Sequence, residues 1–217
     1  MDKAFARRQM VRQQVRTCDV FDPEVLRVLD ELSREDFVPT RFAHLAYADV
    51  EIPLAHNQRM MMPSLEGQLL QALEISADDR VLEIGTGSGF LTACLATLGA
   101  SVTSLELFED LAETATKALK HADIANAEVI VRDATRNLPE DTFDVVAVTG
   151  STPELRAQFV ERLAPGGRLF TVVGDAPIMQ ARLIKKDTSG EVADDTAVFE
   201  AMVSPLIGAQ RDSLFAF

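Results

Sequence analysis

The stretch Val81-Leu-Glu-Ile-Gly-Thr-Gly-Ser-Gly89 decides the fold of this chain. It begins as an apolar, β-branched strand and ends in three glycines at alternate positions, Gly85, Gly87 and Gly89, with an acid, Glu83, two residues before the first. Glycine has no Cβ and adopts positive φ at low cost, so a turn of this kind brings the backbone close to a bound nucleoside. The stretch therefore predicts a nucleotide-type cofactor site at the end of a strand.

Strand-like and helix-like patterns alternate from this stretch onward. We predict strands near 80–84, 101–106, 127–131, 143–148, 168–173, 178–185 and 197–203. Helices are predicted between most of the first five strands, near 89–98, 109–122 and 153–163. Parallel neighbours need crossover connections, so this order predicts an α/β fold with a mainly parallel sheet covered by helices on both faces. The turn residues from Asp187 to Gly190 predict that the last two strands form an antiparallel hairpin.

The chain is predicted to form one domain, 1–217. Its 217 residues with 47% hydrophobic content can bury a full core, and no compositional break marks a second domain. Amphipathic patterns over 3–17 and from Asp22 to Leu32 predict an N-terminal helical extension. We divide the chain into N-terminal helices with a substrate loop (1–78), a cofactor-binding core (79–175) and C-terminal antiparallel strands (176–217).

Charge and cysteine content limit the partners and the compartment. Thirty-four acidic against 21 basic residues give a formal charge of −13, which repels phosphate backbones and argues against nucleic-acid binding. Cys18 and Cys94 have neither disulfide-framework nor zinc-knuckle spacing, which fits a reducing cytoplasm. The basic N-terminus lacks the apolar stretch of a signal peptide, and no segment approaches the ~20 apolar residues needed to cross a bilayer. We expect a soluble, cytoplasmic protein with no membrane partner.

Two further acids lie at or just after the ends of the next two predicted strands. Glu106 ends the second strand, 21 residues after Gly85, which is the spacing at which dinucleotide-binding proteins place a ribose-binding carboxylate. Asp133 follows the third strand and should lie at the same sheet edge, within reach of an adenine amino group. The predicted cofactor-binding residues are Glu83, Gly85, Gly87, Gly89, Glu106 and Asp133.

Two cofactors compete for this site. The nicotinamide dinucleotide fingerprint requires a glycine three residues after Gly87, where this chain has Phe90. Glu83 would also lie unfavourably near a diphosphate, whereas a carboxylate suits a cofactor with an amino group and a sulfonium. S-adenosylmethionine is therefore favoured over NAD. Glu83 has a second possible role, which is to hydrogen-bond the backbone of the glycine turn.

The chain resembles the protein-L-isoaspartate (D-aspartate) O-methyltransferases over nearly its whole length. The similar segments are Met10–Val15, Asp22–Leu26, Arg34–Pro39, Ala46–Asp49, Val81–Gly89 and Leu163–Leu169. The resemblance implies a Rossmann-like, seven-stranded class I methyltransferase fold. It also implies a cytoplasmic repair enzyme that moves a methyl group from S-adenosylmethionine to the free carboxylate of an isoaspartyl residue in a damaged protein or peptide.

One block departs from the pattern of that family. Relatives carry Gln-Thr-Ile-Ser followed one residue later by proline, and the serine is assigned to the active site. This chain reads Gln58-Arg-Met-Met-Met-Pro63, so Met61 replaces the serine and Arg59 replaces the threonine. Gly150-Ser151 and Ala134 also differ from the residues usual at those positions. These changes affect the identity of the methyl acceptor more than they affect the cofactor site.

Other residues must then position the acceptor. A carboxylate is already ionised at neutral pH and needs no strong base, so alignment with the methyl carbon supplies most of the acceleration. Arg59 could clamp the acceptor carboxylate, or it could pair with Glu51 at the surface. Thr149 could donate from the end of the fourth strand, or it could cap the following helix. Met60, Met61 and Met62 could form an adaptable apolar wall, or pack the loop onto the core.

The three histidines complete the candidate residues. His56 could act as a general base if the acceptor were a hydroxyl or an amine, although a loop histidine is usually a polar surface group. His44 and His121 have no companion at metal-ligand spacing, so we predict no metal. Three hypotheses result: an isoaspartyl methyltransferase, an S-adenosylmethionine-binding paralogue with another acceptor or no such activity, and an NAD-dependent oxidoreductase.

Overall fold

A computed structural model describes residues 2–209 of the chain. The α-helices are α1 (Lys3–Met10), α2 (Pro23–Glu31), α3 (Pro63–Leu73), α4 (Phe90–Leu98), α5 (Glu109–His121) and α6 (Ala157–Glu161). The strands are β1 (Ile52–Pro53), β2 (Arg59–Met60), β3 (Arg80–Ile84), β4 (Ser101–Glu106), β5 (Ala127–Val131), β6 (Phe143–Thr152), β7 (Leu163–Asp175), β8 (Ile178–Lys186) and β9 (Val192–Glu200).

Seven strands form one mixed sheet in the order β5-β4-β3-β6-β7-β8-β9. The first five are parallel to one another, and β8 and β9 add to one edge as antiparallel strands. Alternate residues of β3 enter different apolar clusters: Val81 belongs to one cluster, whereas Leu82 and Ile84 belong to the other. Because successive strand side chains point to opposite faces, the sheet is covered on both sides, as predicted.

The N-terminal extension packs onto one face of this core. Asp22 caps α2 by accepting hydrogen bonds from the backbone N–H groups of Glu24 and Val25, as the Asp-Pro-Glu sequence predicts. The helix predicted over 3–17 is interrupted: α1 ends at Met10 and continues as a π-helical turn, Val11–Val15. Among residues 2–209 there is no helix of the length and apolar character needed to span a bilayer.

Four elements on the C-terminal side of the sheet have bounds that differ from the predicted ones. The helix predicted over 153–163 is reduced to the five residues of α6. Strands β6 and β7 extend beyond their predicted ends because their mutual pairing has register shifts that admit extra residues. Strand β9 lies several residues before the predicted 197–203, because its residues are almost all exposed and lack an alternating apolar pattern.

Candidate active site

The glycine turn lies at the carboxyl end of β3 in the conformation that glycine favours. Gly85 and Gly87 have φ values of 99° and 55°. The backbone N–H of Gly85 donates to the carbonyl of Leu105 at 2.8 Å, which anchors the turn to β4. A Cβ built on Gly85 would collide with the hydroxyl of Thr149. The first glycine is therefore required both by its backbone angle and by the approach of β6.

Gly89 serves the packing of two helices. It precedes α4 with a φ of 83°, and a Cβ there would lie 3.0 Å from the Cβ of Ala115 on α5. Gly89 is not part of the lining of the cavity described below, unlike Gly85 and Gly87. Its position lets α5 lie close to the turn.

Glu106 lies across from the turn at the end of β4. Its Oε2 accepts a hydrogen bond from the backbone N–H of Gly87 at 2.8 Å, and its Oε1 accepts one from Phe108 at 3.1 Å. The residue is 5% exposed. These two bonds fix the carboxylate beside the turn and leave the remaining lone pairs of each oxygen for a ligand hydroxyl.

Asp133 follows β5 at the same edge of the sheet. Its Oδ1 accepts from the backbone N–H of Thr135 at 2.9 Å and from the hydroxyl of Thr135 at 2.6 Å. Its Oδ2 lies 3.2 Å from Nε of Arg136. The carboxylate is thus held in a short turn, in the position that the sequence predicts.

One cavity runs along this edge and brings most of the predicted residues together. Gly85, Gly87, Glu106 and Asp133 contribute to its lining, and so do Arg59, Met61 and Thr149. The segment 203–207 closes another side, where the backbone N–H of Leu206 donates to the carbonyl of Ser151 at 2.8 Å. The cavity therefore joins the cofactor candidates to the acceptor candidates in a single site.

Glu83 is placed differently from the prediction of direct cofactor contact. It is fully buried, lies outside the cavity lining and accepts hydrogen bonds from the hydroxyls of Thr92 and Ser104. Ser104 in turn lies 2.5 Å from the hydroxyl of Thr86 in the glycine turn. Burial raises the pKa of Glu83 to about 8, although both hydroxyls oppose the shift. Glu83 therefore supports the glycine turn through the side chains of Ser104 and Thr86, and not through the backbone of the turn.

The candidate acceptor groups are largely engaged by protein partners. Arg59 lies at the rim, with 51% of its side chain exposed, and its Nη1 is 3.5 Å from Oε2 of Glu51, which is the surface pairing considered from the sequence. The Thr149 hydroxyl lies 2.9 Å from the carbonyl oxygen of Ile84 and 2.8 Å from that of Gly85, so it braces the turn and does not cap a helix. Met60 and Met61 both contribute to the lining, whereas Met62 does not, and all three pack in or against the apolar core.

The sequence reading missed a buried ion pair beside Met61. Nη1 of Arg34 donates to Oε2 of Glu66, and its Nη2 donates to the carbonyl oxygen of Met61 at 2.5 Å. The Arg34 guanidinium also lies over the ring of Phe90, 4.7 Å from its centroid. Glu66 is 1% exposed, yet it contributes to the cavity lining. Its position in the first turn of α3, as an acid within an apolar run, was the available signal in the sequence.

His56 lies outside the cavity and ties the loop before β2 to α5. Its ring stacks on that of Phe108 with centroids 3.9 Å apart, and its Nε2 lies 2.8 Å from Oδ1 of Asp110. The hydrogen bond from His56 lowers the pKa of Asp110 below its ordinary value. His56 therefore holds Phe108, which does line the cavity. Within residues 2–209 no group of three or more His, Cys, Asp or Glu side chains is arranged to hold a metal ion.

The charges of the lining fit a nucleoside that carries a cation. In the described part of the chain, four carboxylates and two guanidinium groups contribute to it: Glu51, Glu66, Glu106, Asp133, Arg59 and Arg132. Three of the carboxylates have a basic partner: Glu51 pairs with Arg59, Glu66 with Arg34 and Asp133 with Arg136. Glu106, which is fixed beside the turn by two backbone N–H groups, would repel a diphosphate placed there, whereas its carboxylate suits ribose hydroxyls and a cationic cofactor. The fold and the site together define a nucleoside-cofactor protein of the Rossmann-like α/β class.

Comparison with known proteins identifies the family. The family model described as Protein-L-isoaspartate(D-aspartate) O-methyltransferase (PCMT) matches residues 6–209. A protein-L-isoaspartate O-methyltransferase of Trichlorobacter lovleyi is 35% identical over 207 residues, covering 95% of each chain. A protein-L-isoaspartate O-methyltransferase 1 of Anaeromyxobacter sp. is 38% identical over 191 residues, covering 87% of this chain and 90% of the relative. This chain belongs to the protein-L-isoaspartate O-methyltransferase family, whose members are S-adenosylmethionine-dependent protein carboxyl methyltransferases.

Solved structures agree on the fold. The crystal structure of a putative protein-L-isoaspartate O-methyltransferase from Plasmodium falciparum, in complex with S-adenosyl-L-homocysteine, superposes with a TM-score of 0.77 at 19% identity. It covers 92% of this chain and 97% of its own. The family membership confirms the prediction of S-adenosylmethionine and removes the NAD-dependent alternative.

Proposed function

We propose that this enzyme transfers the methyl group of S-adenosylmethionine to the free carboxylate of isoaspartyl residues in damaged proteins and peptides. The observation that carries the proposal is the cavity in which Gly85, Gly87 and Glu106 meet Met61, the position that the family resemblance assigns to an active-site serine. The bound cofactor supplies an electrophilic methyl carbon on a positively charged sulfur.

The residues of this chain supply positioning in the proposed reaction. Glu106 accepts hydrogen bonds from the ribose hydroxyls, and Asp133 accepts one from the adenine amino group. Gly85 and Gly87 let the backbone approach the nucleoside. The acceptor carboxylate is ionised in neutral solution, so no side chain has to remove a proton. Met61 and the segment 203–207 supply apolar cover at the acceptor end, which reduces access of water to the reacting atoms.

The test uses two synthetic peptides that are identical except for one isoaspartyl linkage. Each is incubated with the enzyme and S-adenosylmethionine labelled in the methyl group, and base-labile label on the peptide is counted. We expect label on the isoaspartyl peptide and none above background on the aspartyl peptide. Equal labelling of both peptides, or of neither while cofactor still binds, would contradict the proposal.

A second candidate function follows from the acceptor end of the cavity. Met61 brings no hydroxyl to the lining, and the Thr149 hydroxyl is committed to backbone carbonyls. These observations favour an S-adenosylmethionine-dependent paralogue with another acceptor. If the unaltered enzyme does not methylate isoaspartyl peptides, Met61→Ser separates two explanations. A gain of isoaspartyl methylation in the variant would favour a repair site that has lost its hydroxyl, and continued inactivity would favour a remodelled pocket with another acceptor.

We also propose that 1–217 acts as one methyltransferase domain in the cytoplasm, with the three segments defined from the sequence. The free thiols of Cys18 and Cys94 support a reducing compartment. The formal charge of −13 supports protein or peptide substrates over nucleic acid.

A further inference from the structure

The buried pair of Arg34 and Glu66 places a titratable acid at the cofactor cavity, where the sequence suggested Glu83. Glu66 contributes to the lining, and Glu83 does not. One oxygen of Glu66, Oε2, is bonded to Arg34, and the structure gives Oε1 no hydrogen-bond partner among residues 2–209. An acid with one oxygen paired and one available is suited to receive a cation from the cavity.

The electrostatic surroundings of Glu66 favour a cationic ligand over an anionic one. Asp49 from the segment before β1 and Glu83 from β3 lie close enough to interact with it, and both are acids. Cys94 from α4 is also within range, and burial raises the pKa of its thiol well above the usual value. Arg34 is the cation that faces Glu66 in the described part of the chain, and its two Nη atoms are already bonded to Glu66 and to the Met61 carbonyl.

We propose that the Glu66 carboxylate receives the α-ammonium of the cofactor's methionine moiety, and that binding of the cofactor therefore releases a proton from Glu66 in mildly acidic solution. The proposal rests on the cofactor of the proposed function but not on its methyl acceptor. It assigns to Glu66 the cation-binding role that the sequence pattern suggested for Glu83.

The proton release follows from the protonation state of the free site. Burial raises the pKa of Glu66 to about 7, an effect that Asp49 reinforces and Arg34 opposes. Below that pH the free site holds a carboxylic acid, whereas a bound ammonium favours the carboxylate. The affinity should then fall by up to about tenfold for each pH unit below the pKa. Above the pKa it should be nearly constant.

Isothermal titration calorimetry tests this directly. S-adenosylhomocysteine, which keeps the α-ammonium, is titrated at pH about 6 in buffers of different ionisation enthalpy, so that the dependence of the heat on the buffer counts the protons. We expect release of more than half a proton per site. We expect no release with 5′-methylthioadenosine, which keeps the nucleoside and the thioether but has no ammonium.

Two variants assign the proton to a residue. Glu66→Gln should bind S-adenosylhomocysteine without proton release and with an affinity that does not depend on pH. Glu83→Gln is the matched control, because Glu83 is buried with a raised pKa but lies outside the lining, and it should keep the release. Release that persists in Glu66→Gln would overturn the proposal.

The ligand comparison on the unaltered enzyme decides the matter even if Glu66→Gln does not fold. Equal proton release with 5′-methylthioadenosine and S-adenosylhomocysteine, or none with either, would also overturn the proposal. Absence of any binding would instead refute the proposed function, so the two failures are distinguishable.

Discussion

Substitution of Gly85 by alanine should lower the free energy of unfolding for two reasons. The first is the backbone: an alanine with φ of 99° costs about 1–2 kcal/mol relative to glycine. The second is the collision of the new Cβ with the Thr149 hydroxyl, which must leave the carbonyl oxygens of Ile84 and Gly85. Overpacking of this kind costs about 1–3 kcal/mol. We expect a total loss of about 2–5 kcal/mol in the free energy of unfolding, measured by urea denaturation followed by circular dichroism.

Two matched variants separate these costs. Gly166 has a φ of 78° and open space where its Cβ would lie, so Gly166→Ala should show the backbone cost alone, about 1–2 kcal/mol. The double variant Gly85→Ala with Thr149→Ala should be less destabilised than the sum of the two single variants by about 1–2 kcal/mol. If Gly85→Ala were no worse than Gly166→Ala, or if the two changes were additive, the argument from the Thr149 contact would be wrong.

Three further predictions concern pH, the rim of the cavity and the base of the sheet. The pKa of Glu83 in the folded protein is raised to about 8, so the protonated side chain contributes its full stability below about pH 4.3, and this contribution is lost as the pH rises toward 8. The urea midpoint of the unaltered enzyme should therefore fall over that pH range, and Glu83→Gln should flatten the fall. His56→Ala should weaken S-adenosylhomocysteine binding by about threefold through loss of the stack on Phe108. Asp110→Asn, which alters only the exposed hydrogen bond to His56, should change the affinity less, and equal effects would argue against the stack. Arg168→Ala should cost about 3–5 kcal/mol in unfolding free energy, because Arg168 joins the partly buried Asp79 to the carbonyls of Leu73 and Glu74, and a loss below about 1 kcal/mol would contradict that role.

The parallel core was predictable because its signals are local. Strands β3, β4 and β5 have the predicted bounds, since each is a short apolar or β-branched run that ends at a glycine or an acid. The end of β6 and the start of β7 were not, because bulges in their pairing depend on the partner strand. The bounds of β9 were predicted wrongly for a different reason, because an exposed edge strand needs no alternation of apolar and polar residues.

The residues of the candidate site also fall into a predictable group and an unpredictable group. The spacing from Gly85 to Glu106 predicts the carboxylate beside the turn, because both residues end neighbouring parallel strands. The role of Glu83 depends on its hydrogen bonds from Ser104 and Thr92. The role of Glu66 depends on Arg34, which is 32 residues away along the chain. Spacing along one segment carries no information about such partners.

The central claim is that an adenosyl cofactor lies across the glycine turn with its ribose on Glu106. A calorimetric titration of the unaltered enzyme and of Glu106→Gln with S-adenosylhomocysteine tests it most directly. We predict saturable binding by the unaltered enzyme and an affinity lower by about 1–3 kcal/mol, roughly 5- to 150-fold, in the variant. The variant should also lose about 1–2 kcal/mol of stability, because Glu106 accepts from the backbone N–H groups of Gly87 and Phe108. No saturation with the folded, unaltered enzyme, or equal affinity in the folded variant, would contradict the account.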